Sequence, residues 1–319
     1  MLRTLDARRS CQGGRIEIDG RELVNFCSND YLGMSSDKAV IQRVSEEVKA
    51  FGVGSGSASL LSGRSSLHEE LEKKLARFVG TESALIFSSG YLANTGGIPA
   101  LMGRKDFIFH DRLNHASLID GVLASNAAQK RYPHGRVPDF SGFASRKCDV
   151  KMLVTESVFS MDGDLVDLNA LLDKALKNES VLYVDDAHGF GIVGNGKGAA
   201  GILHQGPKMP SSVLIMITFG KALGSMGAAL LGPNDVIDLL VQKARTYIYD
   251  TAIPPICVAA ALEALTAVEA CSKRRESLFE NIDFFRRHAT VAGIQLQDCL
   301  LYTSPSPRDQ RGSRMPGSA

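Results

Sequence analysis

The chain lacks an excess of either charge. Its 36 Lys and Arg stand against 35 Asp and Glu, a net of +1 at neutral pH, so nothing in its charge supports a nucleic-acid or anionic-membrane partner. Close cysteine pairs are missing too. Cys11, Cys27, Cys148, Cys257, Cys271 and Cys299 are scattered, which argues against a zinc site or a disulfide framework and for a reducing, cytoplasmic setting. No stretch approaches the roughly 20 apolar residues that span a bilayer. The start, MLRTLDARRS, has basic residues with no apolar stretch behind them, unlike a secretory leader. Repeats and low-complexity segments are absent up to the last 21 residues (299–319). What remains is ordinary for a globular protein: 319 residues, 44% hydrophobic and 22% charged. That length buries a large core and suggests one large domain plus a piece of a second.

Periodicity predicts an α/β fold with a mostly parallel sheet between helices. Val40, Ile41, Val44, Val48 and Phe51 recur at helical spacing. So do Leu67, Leu71, Leu75 and Phe78, with a capping box expected from Ser66 and Glu69 and a stop at Gly80. Strand-like runs are expected at Ala84–Phe87, Phe107–Phe109, Met152–Thr155, Val181–Val184, Val213–Thr218 and Ala228–Leu231, with helical patterns such as Leu168–Leu176 between most of them. Beyond Pro254-Pro255 one long helix is expected to run to about Arg287, and Val291–Gln297 reads as core-like. From Cys299 the chain reads CLLYTSPSPRDQRGSRMPGSA, with no apolar period. It resembles a translated sequencing adapter and is set aside as a non-native tail. The expected divisions are a 1–34 N-terminal segment, a 35–253 large domain, and 254–298 as a long helix opening a truncated small domain, followed by the 299–319 tail.

Chemistry concentrates at the ends of the predicted strands, where open parallel sheets bind ligands. Ser212–Gly224, SVLIMITFGKALG, is an apolar run followed by a turn carrying Lys221. A partly desolvated amine there loses proton affinity and becomes nucleophilic. Val181–Val184 ends in Asp185-Asp186-Ala187-His188. A lysine for a Schiff base and an acid for a ring nitrogen are what pyridoxal 5'-phosphate (PLP) requires of a protein. Successive strand residues face opposite ways, so only one of Asp185 and Asp186 can serve. Ser88-Ser89-Gly90-Tyr91 lies between a strand and a helix, where free N–H groups can hold a phosphate. Gly189-x-Gly191-x-x-Gly194 follows a strand but opens no long amphipathic helix, and Gly52-x-Gly54-x-Gly56 follows a helix. Neither meets the conditions of a dinucleotide fingerprint.

Taken together, the motifs resemble the α-oxoamine synthases, PLP enzymes of fold type I that join an amino acid to an acyl thioester with loss of carbon dioxide. The resemblance runs from about Asn25 to Asp298. It rests on Ser28-Asn29-Asp30-Tyr31-Leu32-Gly33, Gly54-Ser55-Gly56 with Leu61-Ser62-Gly63, and Ser89-Gly90-Tyr91 with Asn94. It continues through Asn114-His115-Ala116-Ser117, Thr155-Glu156, Phe159-Ser160-Met161-Asp162-Gly163-Asp164, Asp185-Asp186-Ala187-His188-Gly189 and Thr218-Phe219-Gly220-Lys221. The member it most resembles joins L-alanine to pimeloyl-CoA or a pimeloyl carrier protein; glycine C-acetyltransferase is the nearest alternative, and an inactive PLP-binding fragment the alternative from another class.

The resemblance implies a role for each residue. Lys221 carries the Schiff base and then acts as acid and base. Asp185, rather than Asp186, keeps the ring nitrogen protonated; His188 hydrogen-bonds the phenolic oxygen, with Ser160 near it; His115 stacks on the ring. Gly90, Tyr91 and Thr218 are implied phosphate ligands, Asn29 lies near the substrate, and Thr251 reaches the phosphate of a neighbouring subunit in a homodimer. Three departures stand out. Ser157 occupies a position where the motif has Gly, and an N-terminal arginine that helps bind substrate in relatives cannot be placed, Arg8 and Arg9 being only candidates. With the tail set aside, the small C-terminal domain whose arginine grips the amino acid carboxylate in relatives is expected to be missing, so weak turnover is expected.

Overall fold

A computed structural model describes residues 5–140, 148–203, 209–270, 272–296 and 300–301. A short antiparallel hairpin, β1 (Arg15–Ile18) and β2 (Arg21–Val24), precedes the main body. The main sheet holds β3 (Ser83–Phe87), β4 (Phe107–Asp111), β5 (Ala128–Tyr132), β6 (Lys151–Glu156), β7 (Ser180–Asp185), β8 (Val213–Thr218) and β9 (Ala228–Gly232), in the order β3-β9-β8-β7-β6-β4-β5. Only β9 runs against its neighbours; the pairings β8-β7-β6-β4-β5 are all parallel.

The predicted strands are all present, each extended by one or two residues, at one end or one at each, except Val213–Thr218, which matches as read. They form because they are continuous apolar runs, as strands buried on both faces must be. Their period of two divides the core cleanly. Leu153, Leu182, Val184, Val213, Ile215 and Ile217 enter one apolar cluster. Met152, Val154, Tyr183, Leu214 and Met216 enter the other.

Helices cover both faces. They are α1 (Lys38–Phe51), α2 (Ser66–Val79), α3 (Gly90–Leu101), α4 (Ala116–Ala124), α5 (Leu168–Lys177), α6 (Ala199–Leu203), α7 (Asn234–Lys243), α8 (Arg245–Ile248), α9 (Pro255–Ala270) and α10 (Lys273–Val291). Asp37 caps α1 by accepting the Ala39 N–H at 2.8 Å, and Asp167 caps α5 through the Ala170 N–H at 3.0 Å.

Three expectations need correction. The capping box at α2 sits one residue earlier, with Ser65 and His68 as its partners: Ser65 is extended, and its N–H donates to His68 Nδ1 at 3.1 Å. Glu69 pairs instead with Lys73. The single long helix beyond Pro255 is two helices, α9 and α10. Val291 and Ile294 are exposed, 89% and 57%, so the 291–297 stretch, described up to residue 296, is not core. Of the set-aside tail only Leu300 and Leu301 are described, the latter buried; the remainder lies outside the described residues. The Gly189–Gly194 cluster leads only to a short turn and the five-residue α6, as its lack of an amphipathic helix implied. Among the described residues no single helix is long and apolar enough to cross a membrane.

Candidate active site

The carboxyl ends of β3, β4, β6, β7 and β8 lie along one edge of the sheet, and the turns that leave them carry the predicted chemistry. A cleft of about 170 Å³ opens there, lined among others by Gly90, Tyr91, His115, Asp185, His188, Thr218 and Lys221.

Lys221 stands on a tight turn after β8. The Phe219 N–H donates to the Gly227 carbonyl at 2.8 Å, Ser225 N–H to the Phe219 carbonyl at 2.8 Å and Gly224 N–H to the Lys221 carbonyl at 2.9 Å. Gly224 has φ +60°, and a Cβ there would lie 2.2 Å from the Ser35 nitrogen, so only glycine lets the turn seat against the N-terminal segment. Burial lowers the Lys221 pKa from 10.5 to about 8, against the opposing pull of Asp185 and Glu156.

Asp185 ends β7 and faces α3. Its Oδ2 accepts from Asn94 Nδ2 at 2.7 Å and its Oδ1 from the Ala187 N–H at 3.0 Å. Asp186 points to the other face, as strand alternation requires. There it accepts from Ser157 Oγ at 2.5 Å and the Ala199 N–H at 2.8 Å. Full burial pushes its pKa up to about 7. The two neighbouring acids are thus separated by geometry into one that lines the cleft and one that anchors α6. Ser157 acquires a role that its sequence position did not announce, as a donor to Asp186.

His115 caps α4. Its backbone N–H donates to Glu156 Oε1 at 2.5 Å, and its Nδ1 accepts the Ser117 N–H at 3.2 Å. Desolvation lowers its pKa, Asp185 working against that and Lys221 with it. His188 is buried, and its Nδ1 lies 2.6 Å from Tyr31 Oη. Burial holds its pKa well below the ordinary value, with the charge of Lys221 adding to the effect. Glu156 pairs with Asp185 in the β6–β7 register, and burial followed by repulsion from Asp185 pushes its carboxyl up. The cleft at neutral pH therefore holds neutral imidazoles beside Lys221.

The phosphate-end residues meet at the start of α3. The first N–H bonded into this helix is that of Ala93, to the Ser89 carbonyl at 2.9 Å, so those of Gly90 and Tyr91 precede the ladder. A Cβ on Gly90 would lie 3.4 Å from the Met216 side chain and 3.8 Å from Thr218 Cβ. Thr218 Oγ1 donates to the Gly227 carbonyl at 3.1 Å. Three predicted residues do not line this cleft. Ser160 borders it through its N–H on Glu156. Asn29 is half-buried, its Oδ1 3.3 Å from Tyr31 Oη. Thr251 is exposed, bridged to Ala58 and set beside Ser88 and Asp250 in a separate cavity. A lysine amine, a buried carboxylate, two neutral imidazoles and free helix-start N–H groups around one cleft are a donor set that fits PLP.

The family model for aminotransferase class I and II matches residues 21–299. The chain belongs to that family. The match stops where the set-aside tail begins. Among curated relatives, the 8-amino-7-oxononanoate synthase of Herminiimonas arsenicoxydans is 48% identical over 270 residues, covering 82% of this chain and 69% of the relative. Among solved structures, an SPT with its PLP internal aldimine superposes with a TM-score of 0.86 at 28% identity, over 94% of this chain and 75% of the other. The 8-amino-7-oxononanoate synthase of Francisella tularensis has a TM-score of 0.72 at 31% identity, over 86% and 77%. Within this aminotransferase class I and II family the chain is an α-oxoamine synthase of PLP fold type I, and the resemblance read from its motifs holds.

Several residues of the site carried no role in the sequence reading. Tyr31, Glu156, Asn94 and Ser117 stood in recognised motifs without an assignment; Tyr183 was not singled out. Only for Glu156 was there a local signal, an acid closing an apolar strand as Asp185 does.

Proposed function

We propose that this chain is a PLP-dependent acyltransferase of biotin biosynthesis, condensing L-alanine with a pimeloyl thioester to 8-amino-7-oxononanoate, carbon dioxide and free thiol. The observation that carries the reading is the convergence of Lys221, Asp185, His115 and His188 on one cleft, together with the identity to the synthases named above.

When bound, PLP supplies an electron sink for the pair left on the amino acid α-carbon. Lys221 anchors it and, once displaced by the substrate amine, moves the α-proton. With a pKa near 8, about a tenth of this amine is neutral at pH 7, close to what a general base needs. Asp185 would hold the proton of the ring nitrogen, His115 would lie against the ring, and His188 and Ser160 would hold the phenolic oxygen. Gly90, Tyr91 and Thr218 bind the phosphate, and Asn29 borders the amino acid. The α-carbon would join the thioester carbonyl as the C–S bond breaks and the thiol leaves, the α-carboxylate would depart as carbon dioxide, and Lys221 would return a proton to the same carbon. What the site contributes is orientation, holding first the α-proton and then the carboxylate against the ring plane.

The acyl donor is pimeloyl-CoA or a pimeloyl carrier protein. We assign the working form as a cytoplasmic homodimer in which Thr251 meets the phosphate of the neighbouring subunit. That assignment is supported by the exposure of Thr251 away from its own cleft and by exposed Val53, Leu61 and Tyr249 (70%, 82% and 72%). The test is borohydride reduction of the PLP-loaded chain with peptide mapping, then product analysis with alanine and pimeloyl-CoA against glycine and acetyl-CoA. Label on Lys221 and 8-amino-7-oxononanoate as product are expected. Label elsewhere, or condensation only with glycine and acetyl-CoA, overturns the reading.

A further inference from the structure

Strand alternation puts Tyr183 and Asp185, two residues apart on β7, on the same face of the sheet, beneath α3. Asn94 on α3 meets both. Tyr183 Oη donates to Asn94 Oδ1 at 2.8 Å. Asn94 Nδ2 donates to Asp185 Oδ2 at 2.7 Å and to Ser117 Oγ at 2.9 Å. The approach is close because two glycines allow it. A Cβ on Gly97 would lie 2.5 Å from Leu230 Cδ1, and one on Gly121 would lie 2.6 Å from the Asn94 carbonyl oxygen. Asn94 and Tyr183 are fully buried.

The directions of these bonds follow from chemistry. A carboxylate only accepts, so Asn94 must turn its amide nitrogen to Asp185, which leaves Oδ1 for Tyr183. Ser117 Oγ accepts the second amide hydrogen and keeps its own proton for His115 Nδ1, 2.8 Å away. Because the Ser117 backbone N–H also points at that nitrogen and can only donate, Nδ1 must be an acceptor. The imidazole proton then sits on Nε2. Each amide and hydroxyl hydrogen in the chain of contacts has an acceptor, the arrangement by which a buried polar network rigidifies a site.

We propose that Asn94, held by Tyr183, is the positioning residue that couples Asp185 to His115. It aims the carboxylate at the cleft and, through Ser117, holds a hydroxyl proton on His115 Nδ1. The proposal rests on the reading that Asp185 and His115 face the cofactor ring. Tyr183 is suited to its place, since burial and the neighbouring Asp185 push its hydroxyl pKa well up, so that it remains a donor.

Asn94→Asp tests this with little change of shape. The substituted side chain still accepts from Tyr183 but has no amide hydrogen for Ser117 Oγ, so the Ser117 hydroxyl turns from His115 Nδ1 to that carboxyl, while the Ser117 backbone N–H stays on Nδ1. Long-range proton–nitrogen NMR of the imidazoles, on the full chain before and after PLP loading, is expected to show His115 Nδ1 unprotonated in both proteins. Its nitrogen resonance should move downfield in Asn94→Asp as the hydroxyl hydrogen bond is lost, whereas a packing role alone would leave it where it was. Tyr183→Phe is the second variant, removing one hydroxyl. It should weaken the equilibrium Kd for PLP about tenfold while lowering the melting temperature of the cofactor-free chain by only a few degrees. A wild-type His115 protonated on Nδ1, an unmoved Nδ1 resonance in Asn94→Asp, or a Kd within about twofold in Tyr183→Phe overturns the proposal. A wild-type chain that binds no PLP sinks the functional reading instead, and the NMR of the unloaded chain still judges the network.

Discussion

Lys221 offers the sharpest test of the site's electrostatics. Its amine is expected to titrate near 8 rather than 10.5. At pH 7 the neutral, reactive fraction is then about one tenth, against about one in 3,000 for an ordinary lysine, an advantage of roughly 300-fold. Acylating the cofactor-free chain over a pH series and quantifying peptides by mass spectrometry reads this directly, with the remaining lysines as internal standards. Asp185→Asn supplies the perturbation. Burial lowers the amine pKa and Asp185 opposes it, so removing that charge moves the inflection further down. For one partner charge at close range the move is about one pH unit, which raises the neutral fraction at pH 7 about fivefold. Glu156→Gln changes less, because burial already favours the neutral form of Glu156. Stability carries the same information. Between about 8 and 10.5 the folded chain binds fewer protons at Lys221 than the unfolded chain, so unfolding free energy rises with pH across that window, by up to about 3 kcal/mol. An inflection above 10 for the wild type, or an upward move in Asp185→Asn, would refute the reasoning.

Asp186 predicts a slope of the opposite sign. Held near 7 by burial, it keeps a proton that the unfolded chain releases from about pH 4, so stability falls as pH rises between these values. Asp186→Asn removes the slope; in urea unfolding the wild type should lose about 2 kcal/mol more than the variant between about pH 5.5 and 7.5, and parallel curves would contradict this. Tyr31→Phe takes the hydroxyl from His188 Nδ1 and should lower kcat about tenfold, with a loss of about 1 kcal/mol in stability; unchanged kcat would separate Tyr31 from the site. Gly121→Ala places a methyl 2.6 Å from the Asn94 carbonyl oxygen and should cost about 1–3 kcal/mol by forcing α3 and α4 apart, a difference that calorimetry would detect or exclude.

Much of the architecture was legible because burial on both faces leaves a plain mark. Val213–Thr218 and Val181–Val184 are unbroken apolar runs, and only central strands of a covered sheet tolerate them. The elements that escaped are those where this mark is weak. β1 and β2, with their charged Arg15, Glu17, Arg21 and Glu22, are largely exposed, and β5 is a polar edge strand, AQKRY, paired on one side only. The cap of α2 shifted by one residue because His68 is also tied to the Ile253 carbonyl, at 3.0 Å, a contact between residues far apart in the chain. The one long helix became two because periodicity alone does not locate a break within an otherwise helical stretch.

The sequence by itself determined the chemistry: an amine after one buried strand, an acid and an imidazole after another, and glycines at a strand-to-helix turn. Each is a local consequence of where an apolar run ends. It even required that only one of Asp185 and Asp186 serve the site, since alternation along a strand is local as well. Only the tertiary structure decided how those groups are held. Asn94 reaches Asp185, Tyr183 and Ser117 because α3, some 90 residues from β7 in the chain, is pressed onto the sheet and onto α4 where Gly97 and Gly121 leave room. The proton on His115 and the lowered affinity of Lys221 depend on neighbours that folding alone assembles. Hydrogen-bond direction and desolvation are properties of surroundings, and surroundings are not written in any single stretch of chain.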